Sequence, residues 1–224
     1  MTDLIDTTEM YLKAILELEE EGIPAMRARI AERLDHSGPT VSQTVARMER
    51  DGLIVLQDDR HLDFTDIGRM SAIEVMRKHR LAEVLLLEVI GLDWELVHEE
   101  ACRWEHVMSE AVEKKILQLV SNPNISPYGI PVPGLEFLGV EASPNMDCQS
   151  ISSVATGEFE LARIGEPLQV DPEFLAQLKE LEILPGSRVT VDRQTKGWLV
   201  RNASRAEGLL LDEALASHLF LRLD

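Results

Sequence analysis

The sequence predicts a mainly α-helical protein with a small β domain at its C-terminal end. Three observations lead to this fold class. Residues 7–65 follow a helix, turn, helix and hairpin order, residues 66–120 keep helical periodicity, and two segments after residue 151 alternate between polar and apolar residues. We therefore expect an N-terminal winged helix-turn-helix, a helical middle domain and a C-terminal SH3-like β-barrel.

The N-terminal segment carries the start and stop signals of three helices. Thr7 suits a helix cap, and Tyr11, Ile15 and Leu18 form an apolar stripe behind it. A second helix is expected from Pro24, and a third from Pro39 to Gly52. The apolar segments 53–56 and 61–65 then predict a short hairpin, which completes the winged helix-turn-helix.

The middle segment contains a string of metal-ligand residues. The string is His98, Cys102, Glu105 and His106. On a single helix these positions, i, i+4, i+7 and i+8, lie on one face. An earlier pair, His79 and Glu83, repeats the i, i+4 spacing. A lone His-x-x-x-Cys is more often a core thiol beside a surface histidine. Six N, O and S donors in phase instead indicate a site for a divalent transition metal.

An apolar stripe runs beside the ligand string, at Val97, Ala101, Trp104 and Met108. A protein that presents two DNA-reading heads buries such a face most simply against a second copy of itself, as in most two-fold dimers. We therefore expect a homodimer, and expect the middle segment to be a helical dimerisation and metal-binding domain.

Residues 121–150 are rich in proline and glycine, which indicates a linker with polyproline II character. SH3-like domains hold such helices, so the segment around Pro127, Pro131 and Pro133 is either a ligand of the chain's own SH3-like domain or a plain spacer. Beyond it, alternation over 159–163 and 188–192, with a helical stretch over 171–181, predicts the small β domain.

The composition limits the class of protein. The 224-residue chain has a net charge of −18 and a pI near 4.7, but residues 26–60 carry six arginines against six carboxylates. This locally neutral, arginine-bearing surface is compatible with phosphate binding, because screening limits repulsion from distant charges to roughly 10 Å.

The start of the chain lacks a basic leader and an apolar segment, and the longest apolar stretch is too short for a bilayer, so we expect a cytoplasmic protein. Cys148 is expected to be a free thiol in a loop.

The third helix has the residues that a major-groove helix needs. Its N-terminal end carries side chains able to meet base edges, and arginines able to bind phosphates lie further along or on neighbouring elements. The expected base-reading residues are Ser37, Pro39, Ser42 and Gln43, and the expected phosphate contacts are Arg27, Arg47, Arg50, Arg60, Thr40 and again Ser42. Thr7 and Ala28 complete the expected DNA-contacting set. The alternative interpretation is that these polar residues belong to an ordinary solvated surface that does not bind DNA.

With its winged helix-turn-helix and its string of metal-ligand residues, the sequence resembles the iron-dependent repressors of the diphtheria toxin repressor family. The resemblance covers residues 3–140 and includes the runs at 6–12, 27–33, 37–45, 76–83 and 100–109. It implies a winged helix-turn-helix over 1–65, a helical dimerisation and metal-binding domain over 66–140, a linker over 141–150 and an SH3-like domain over 151–224.

The resemblance also implies two metal sites per subunit. A primary site would use Met10, Cys102, Glu105 and His106, with Cys102 giving either its carbonyl or its thiol. An ancillary site would use His79, Glu83 and His98, completed by a Glu-x-x-Gln from the SH3-like domain, which matches Glu166 and Gln169. The primary site would tie Met10 of the first helix to the middle domain, so metal would act as a corepressor.

The expected metal is Fe²⁺, because the soft donors Met10 and Cys102 favour it over Mn²⁺. Co²⁺, Ni²⁺, Zn²⁺ or Mn²⁺ are the expected substitutes in vitro. The expected partners are double-stranded DNA and a second copy of the chain, with no membrane and no enzymatic activity. Two other functions remain open from the residues alone: a metallohydrolase, which lacks an H-E-x-x-H motif here, and an adaptor that binds proteins without DNA.

Overall fold

The computed structural model describes residues 6–143 and 146–223. The N-terminal part contains α1 (Thr7–Glu20), α2 (Arg27–Leu34), α3 (Gly38–Arg50) and a hairpin of β1 (Ile54–Leu56) and β2 (Leu62–Phe64). The middle part contains α4 (Asp66–Leu85), α5 (Val97–Trp104) and α6 (Glu110–Leu119). The C-terminal part contains β3 (Cys148–Ser150), β4 (Gly157–Ile164), α7 (Glu166–Gln169), α8 (Pro172–Glu180), β5 (Arg188–Gln194), β6 (Gly197–Asn202), β7 (Leu209–Leu211), α9 (Glu213–Ser217) and β8 (Leu219–Arg222). The predicted fold class is confirmed.

The winged helix-turn-helix has two boundaries that differ from the prediction. Asp6, rather than Thr7, caps α1, because its carboxylate accepts hydrogen bonds from the first backbone amides of the helix. The second helix does not begin at Pro24. The chain first pairs with the hairpin, where the Leu62 amide donates to the Ala25 carbonyl at 2.8 Å, and α2 begins only afterwards.

α1 and α3 both contribute to the core of the N-terminal part. Tyr11 and Ile15 of α1 and Val41, Val45 and Met48 of α3 are fully buried in one hydrophobic cluster. The spacing of the α3 residues leaves the opposite face of α3 exposed. The apolar stripes therefore fix which side of α3 faces solvent.

The prediction that a single helix carries all four residues of the ligand string is wrong. α5 ends at Trp104, and His106 lies in the turn that follows. Glu105 caps α5 with helical backbone dihedrals (φ −55°, ψ −35°), so its side chain continues the helix face. The turn then directs His106 towards α1, where its ring contacts Glu9.

The apolar stripe on α5 is mostly buried within the chain and not reserved for a second copy. Val97 and Ala101 are fully buried and Met108 nearly so, in the hydrophobic core that the middle and C-terminal parts share. Only Trp104 of the stripe is half-buried. The large exposed apolar residues between residues 86 and 120 lie elsewhere, at Val89, Ile90, Leu96, Val107, Val112 and Leu119.

The proline-rich segment packs against the C-terminal part. Tyr128 is fully buried, and its carbonyl accepts a hydrogen bond from the Ile164 amide of β4 at 2.9 Å. A Cβ on Gly129 would lie 2.1 Å from the Ala162 carbonyl oxygen, and Gly129 has a φ of +81°, so no larger residue fits there. Pro144, also in this segment, falls outside the described residues.

The C-terminal part is a six-stranded antiparallel sheet in the order β3-β8-β4-β5-β6-β7, with α7, α8 and α9 in the connections. Its core includes Trp198 and Leu221. Cys148 does not lie in a loop, because β3 pairs with β8 and places Cys148 opposite Arg222. The sheet thus begins inside the segment predicted as a linker. No helix in the described ranges is long and apolar enough to cross a membrane.

Candidate metal centre and DNA-binding surface

The first group of ligand residues, the His79 cluster, consists of His79, Glu83, His98 and Glu166. α4 places His79 and Glu83 one turn apart, with 2.9 Å between His79 Nε2 and Glu83 Oε1. α5 brings His98, whose Nδ1 lies 3.2 Å from both Glu83 Oε1 and His79 Nε2. Four buried donor groups from three helices therefore surround one point.

The fourth member, Glu166, reaches the cluster from the C-terminal part. Its Oε2 lies 3.5 Å from His98 Nδ1 and 3.7 Å from His79 Nε2. Glu166 Oε2 and the Oε1 of Gln169, one turn further on α7, are buried and accept no hydrogen bond from the described residues. Buried oxygens normally have a partner, so these two fit a bound metal ion.

The second group, the His106 cluster, consists of Glu9, Glu105 and His106. The His106 Nδ1 lies 2.6 Å from Glu9 Oε2 on α1, and His106 Nε2 lies 3.4 Å from Glu105 Oε1. A carboxylate on one ring nitrogen orients a histidine so that the other nitrogen can bind a metal. Glu105 and His106 line a cavity of about 400 Å³, and Met10 borders this cavity as well.

The two clusters are joined by one contact. His79 Nδ1 lies 2.6 Å from Glu105 Oε2, while His79 Nε2 faces Glu83. Each ring nitrogen of His79 therefore faces a different cluster. The sequence predicts two separate sites, whereas the structure places them on one continuous network.

Cys102 lies closer to the His79 cluster than to the residues it was predicted to join. Its Sγ is 3.6 Å from His98 Nε2, and ligand atoms of Cys102, His79 and His98 lie within 4.8 Å of one another. The i, i+4 spacing on α5 explains this placement, since His98 and Cys102 share one helix face. Glu105 and His106 lie beyond it.

Tyr128 positions His98. Its buried hydroxyl donates to the Trp94 carbonyl at 2.9 Å and accepts from the His98 amide at 3.2 Å, at the start of α5. Burial raises the pKa of Tyr128. The proline-rich segment thus contributes directly to the geometry of the His79 cluster.

Opposite charges dominate the electrostatics of the centre. Burial disfavours the charged form of His98, but hydrogen bonds with Cys102 and Glu83 outweigh it and raise its pKa to about 9. The pKa of His79 is also raised, because the nearby Glu83 and Glu105 carboxylates outweigh burial and the Lys13 charge. Despite burial, the Lys13 and His79 charges lower the pKa of Glu105 to about 2 and hold the pKa of the Cys102 thiol well below its usual value.

We expect the metal-free protein to lose stability between pH 6.5 and 9. His98 and His79 have raised pKa values in the folded state, so the stability they add is present below 6.5 and lost as pH rises. Cys102 acts in the opposite direction, but the pKa of His106 is also raised, mainly by its hydrogen bond to Glu9, and the imidazoles together outweigh one thiol. One net proton over this range corresponds to on the order of 3 kcal/mol. Urea unfolding in chelator at pH 6.5 and 9 measures it, and equal stability at both would contradict the charge states described.

Lys13 and Glu9 belong to the centre, although sequence reasoning did not select them. Lys13 Nζ lies 3.0 Å from Glu105 Oε2 and 3.5 Å from Cys102 Sγ. A charged residue on an amphipathic helix normally faces solvent, so no sequence pattern distinguishes these two from other surface residues. The only available signal is helical spacing, since Lys13 lies three residues after Met10 and four after Glu9.

Most of the predicted DNA-contacting residues are exposed on the N-terminal part, and Thr7, Gln43, Arg47 and Arg50 line one surface depression. The exposed members are Thr7, Ala28, Ser37, Pro39, Thr40, Ser42, Gln43, Arg47, Arg50 and Arg60. Arg27 is half-buried, and its Nε is buried without a hydrogen-bond partner among the described residues. Ser37 is also the cap of α3, accepting from the Thr40 amide, so one predicted base-reading side chain is engaged in the helix.

Two family models match consecutive parts of the chain. The N-terminal DNA-binding domain of iron-dependent repressors matches residues 3–62, and their metal-binding and dimerisation domain matches residues 65–134. Together they cover more than half of the chain. This chain belongs to the iron-dependent repressor family.

Curated relatives agree with the family. The iron-dependent repressor IdeR of Mycobacterium tuberculosis is 53% identical over 203 residues, 88% of each chain. The diphtheria toxin repressor of Corynebacterium diphtheriae is 50% identical over 218 residues, 95% of this chain and 96% of that protein. The likeness therefore extends through the C-terminal part of this iron-dependent repressor.

Solved structures show the same fold. A manganese-dependent transcriptional repressor in complex with manganese superposes with a TM-score of 0.82 at 25% identity, covering 96% of this chain and 99% of that chain. The IdeR of T. acidophilum superposes with a TM-score of 0.78 at 24% identity and covers 98% of this chain. The second likeness shows the fold alone.

Proposed function

We propose that this family member is an iron(II)-activated repressor, mainly of iron-uptake genes, that binds a palindromic operator as a homodimer or a pair of dimers. One observation carries the proposal. α1 belongs to the DNA-binding part, yet its Glu9, Met10 and Lys13 border the same centre as His79 and Glu105 of the middle part. Whatever binds at this centre therefore influences how the DNA-binding part is held.

We assign the ligand residues to two metal sites per subunit. The primary site takes Met10, Glu105 and His106 with the carbonyl or thiol of Cys102, and the ancillary site takes the His79 cluster with Gln169. Support for the ancillary site comes from the convergence of the four side chains of the His79 cluster and from the unpartnered oxygens of Glu166 and Gln169. Support for the primary site comes from the Glu9 contact, which leaves His106 Nε2 facing Glu105.

The mechanism follows from the residues that the metal would bring together. A bound divalent ion would supply positive charge beside the ionised Glu105 carboxylate and Cys102 thiolate. Met10 would hold α1 against the α5 turn, which selects one orientation of α3 for the operator. Fe²⁺ suits the sulfur donors, and Co²⁺, Ni²⁺, Zn²⁺ or Mn²⁺ would replace it in vitro.

The second copy is proposed to cover the exposed apolar residues around α5. A surface depression is lined by Ile90, Leu96 and Trp104, next to the charged Glu99 and Arg103. Exposed apolar surface with a polar rim is typical of a protein interface. This surface replaces the apolar stripe that the sequence indicated.

The proline-rich segment is proposed to be a ligand of the chain's own SH3-like domain and not a spacer. The hydrogen bond from the Ile164 amide to the Tyr128 carbonyl and the close packing of Gly129 against Ala162 support this. The described boundaries also favour a C-terminal domain that begins at β3, before residue 151.

The decisive experiment uses the whole protein and a palindromic duplex. Chelator should abolish duplex binding, and Fe²⁺ under anaerobic conditions should restore it. Binding that survives chelation would contradict metal activation. Ester or peptide hydrolysis by the metal-loaded protein, or metal-independent peptide capture, would instead support the hydrolase or adaptor functions.

We expect Cys102→Ala to weaken metal-dependent duplex binding far more than Cys148→Ala. Cys102 Sγ contacts His98 and Lys13 inside the centre, whereas Cys148 lies on an edge strand of the sheet. A gel-shift titration with Co²⁺ should show a loss of about 10- to 100-fold for Cys102→Ala. The same loss in both variants would reject the assignment of Cys102.

A further inference from the structure

Lys13 occupies the metal centre with its charged end. The side chain of Lys13 is only 8% exposed, and its Nζ lies 3.0 Å from Glu105 Oε2, 3.5 Å from Cys102 Sγ and 3.0 Å from His79 Nδ1. His79 Nδ1 can accept from the ammonium or donate to Glu105, but not both. Glu105 and Cys102 are thus the acceptors on which the ammonium depends.

These acceptors are also ligand candidates. A transition metal binds carboxylate and thiolate ligands at about 2.0–2.3 Å and uses the same lone pairs that a hydrogen-bonded ammonium uses. An ammonium at 3.0 Å from Glu105 cannot remain there beside a dication on the same carboxylate, since two cations at this separation repel strongly in a buried site. The position of Lys13 and metal binding therefore exclude each other.

We propose that Lys13 is a tethered cation that fills the metal centre of the metal-free chain and must leave before a divalent metal binds, so that Lys13 sets the metal concentration at which the protein responds. This inference rests on the proposed function. It adds Lys13, a residue that competes with the metal, to the residues that bind the metal.

The structure also provides a place for the displaced ammonium. Glu17 lies one turn further along α1, and both side chains border the cavity of about 400 Å³, which Glu32 also lines. Glu17 and Lys13 are at i, i+4 positions, so rotation of the lysine side chain alone brings its ammonium to the Glu17 carboxylate. Arg33 contacts Glu17 Oε2 at 3.2 Å.

The test measures Co²⁺ binding to the whole protein without DNA, by the visible absorption of bound Co²⁺ and by equilibrium dialysis. Lys13→Leu keeps an apolar side chain, removes the charge and adds no ligand atom, and is expected to bind Co²⁺ about tenfold more tightly, since a site that is blocked most of the time loses apparent affinity in proportion. Lys13→Ala serves as a second variant in case Lys13→Leu does not fold. Lys114→Leu, at an exposed lysine that pairs with Glu110, is the matched control and should leave affinity unchanged.

The Glu17→Gln variant tests whether Co²⁺ affinity depends on displacement of the Lys13 ammonium or only on the net charge of the centre. Glu17→Gln should weaken Co²⁺ binding in the native background, because the displaced ammonium loses its acceptor. It should have no effect in the Lys13→Leu background, where no ammonium is displaced.

Three outcomes are distinguishable. Tighter binding in both Lys13 variants together with the Glu17→Gln pattern supports the proposal. Unchanged or weaker Co²⁺ binding in a folded Lys13 variant, beside normal binding by the native chain, overturns it and leaves the proposed function intact. Failure of the native chain itself to bind Co²⁺ overturns both.

Discussion

Glu105→Gln is expected to reduce Co²⁺ affinity by about 100-fold or more and to abolish metal-dependent binding of a palindromic duplex. Glu105 contacts Lys13 and His79 through Oε2 and His106 through Oε1, so it connects the two clusters. The amide keeps the size of the carboxylate but removes the negative charge, leaving the Lys13 and His79 cations buried without their shared anion. Dialysis against Co²⁺ measures the first effect and a gel shift the second.

The matched control is Glu182→Gln in the C-terminal part. Glu182 is exposed, pairs with Arg205 and belongs to neither cluster. Its variant should retain native Co²⁺ affinity and duplex binding. Co²⁺ affinity within twofold of native in Glu105→Gln would show that the metal binds elsewhere.

Arg80→Met is expected to destabilise the metal-free protein by about 3–5 kcal/mol, because removal of one partner from a buried ion pair leaves an uncompensated charge. Arg80 has no exposed surface and joins all three parts of the chain. Its guanidinium donates to the Glu20 carboxylate of α1 at 2.5 and 2.9 Å, to the Pro131 carbonyl at 2.8 Å and to Glu166 Oε1 at 3.3 Å. Urea unfolding in chelator measures the change.

Two further variants make this prediction specific. Arg188→Met removes an exposed arginine of β5 and should change stability by less than about 0.5 kcal/mol. Adding Glu166→Gln to Arg80→Met should restore part of the loss, since it removes one of the carboxylates left unpaired. An Arg80→Met protein as stable as Arg188→Met would show that the buried pairs contribute nothing.

The periodicity of the sequence predicted the parts of the fold that depend on local pattern. The stripe of Tyr11, Ile15 and Leu18 located α1, and the Ser37–Pro39 turn located α3. The i, i+4 pair His79 and Glu83 is close in space for the same local reason. Glu166 was a different case: its place in the centre depends on how the C-terminal part packs, and only the family resemblance pointed to it.

The features that the sequence did not reveal depend on contacts between elements. The helix ends at Trp104 because the chain must turn into α6, a tertiary constraint that the ligand spacing does not contain. Val97 and Ala101 are apolar in any packing, so their spacing did not distinguish the chain's own core from a dimer interface. Lys13 is buried and Glu9 half-buried because they contact groups more than 90 residues away in sequence.

The position of α1 places a limit on how its length can vary among related chains. Its residues at four-residue or three-residue intervals contact different parts of the molecule: Glu9 meets His106, Lys13 meets Glu105, Glu17 meets Arg33 and Glu20 meets Arg80. One residue inserted between Lys13 and Glu17 would rotate the rest of the helix by about 100° and move Glu20 away from Arg80. Insertions and deletions are therefore expected in the β1–β2 turn and near residues 141–147, and not within α1.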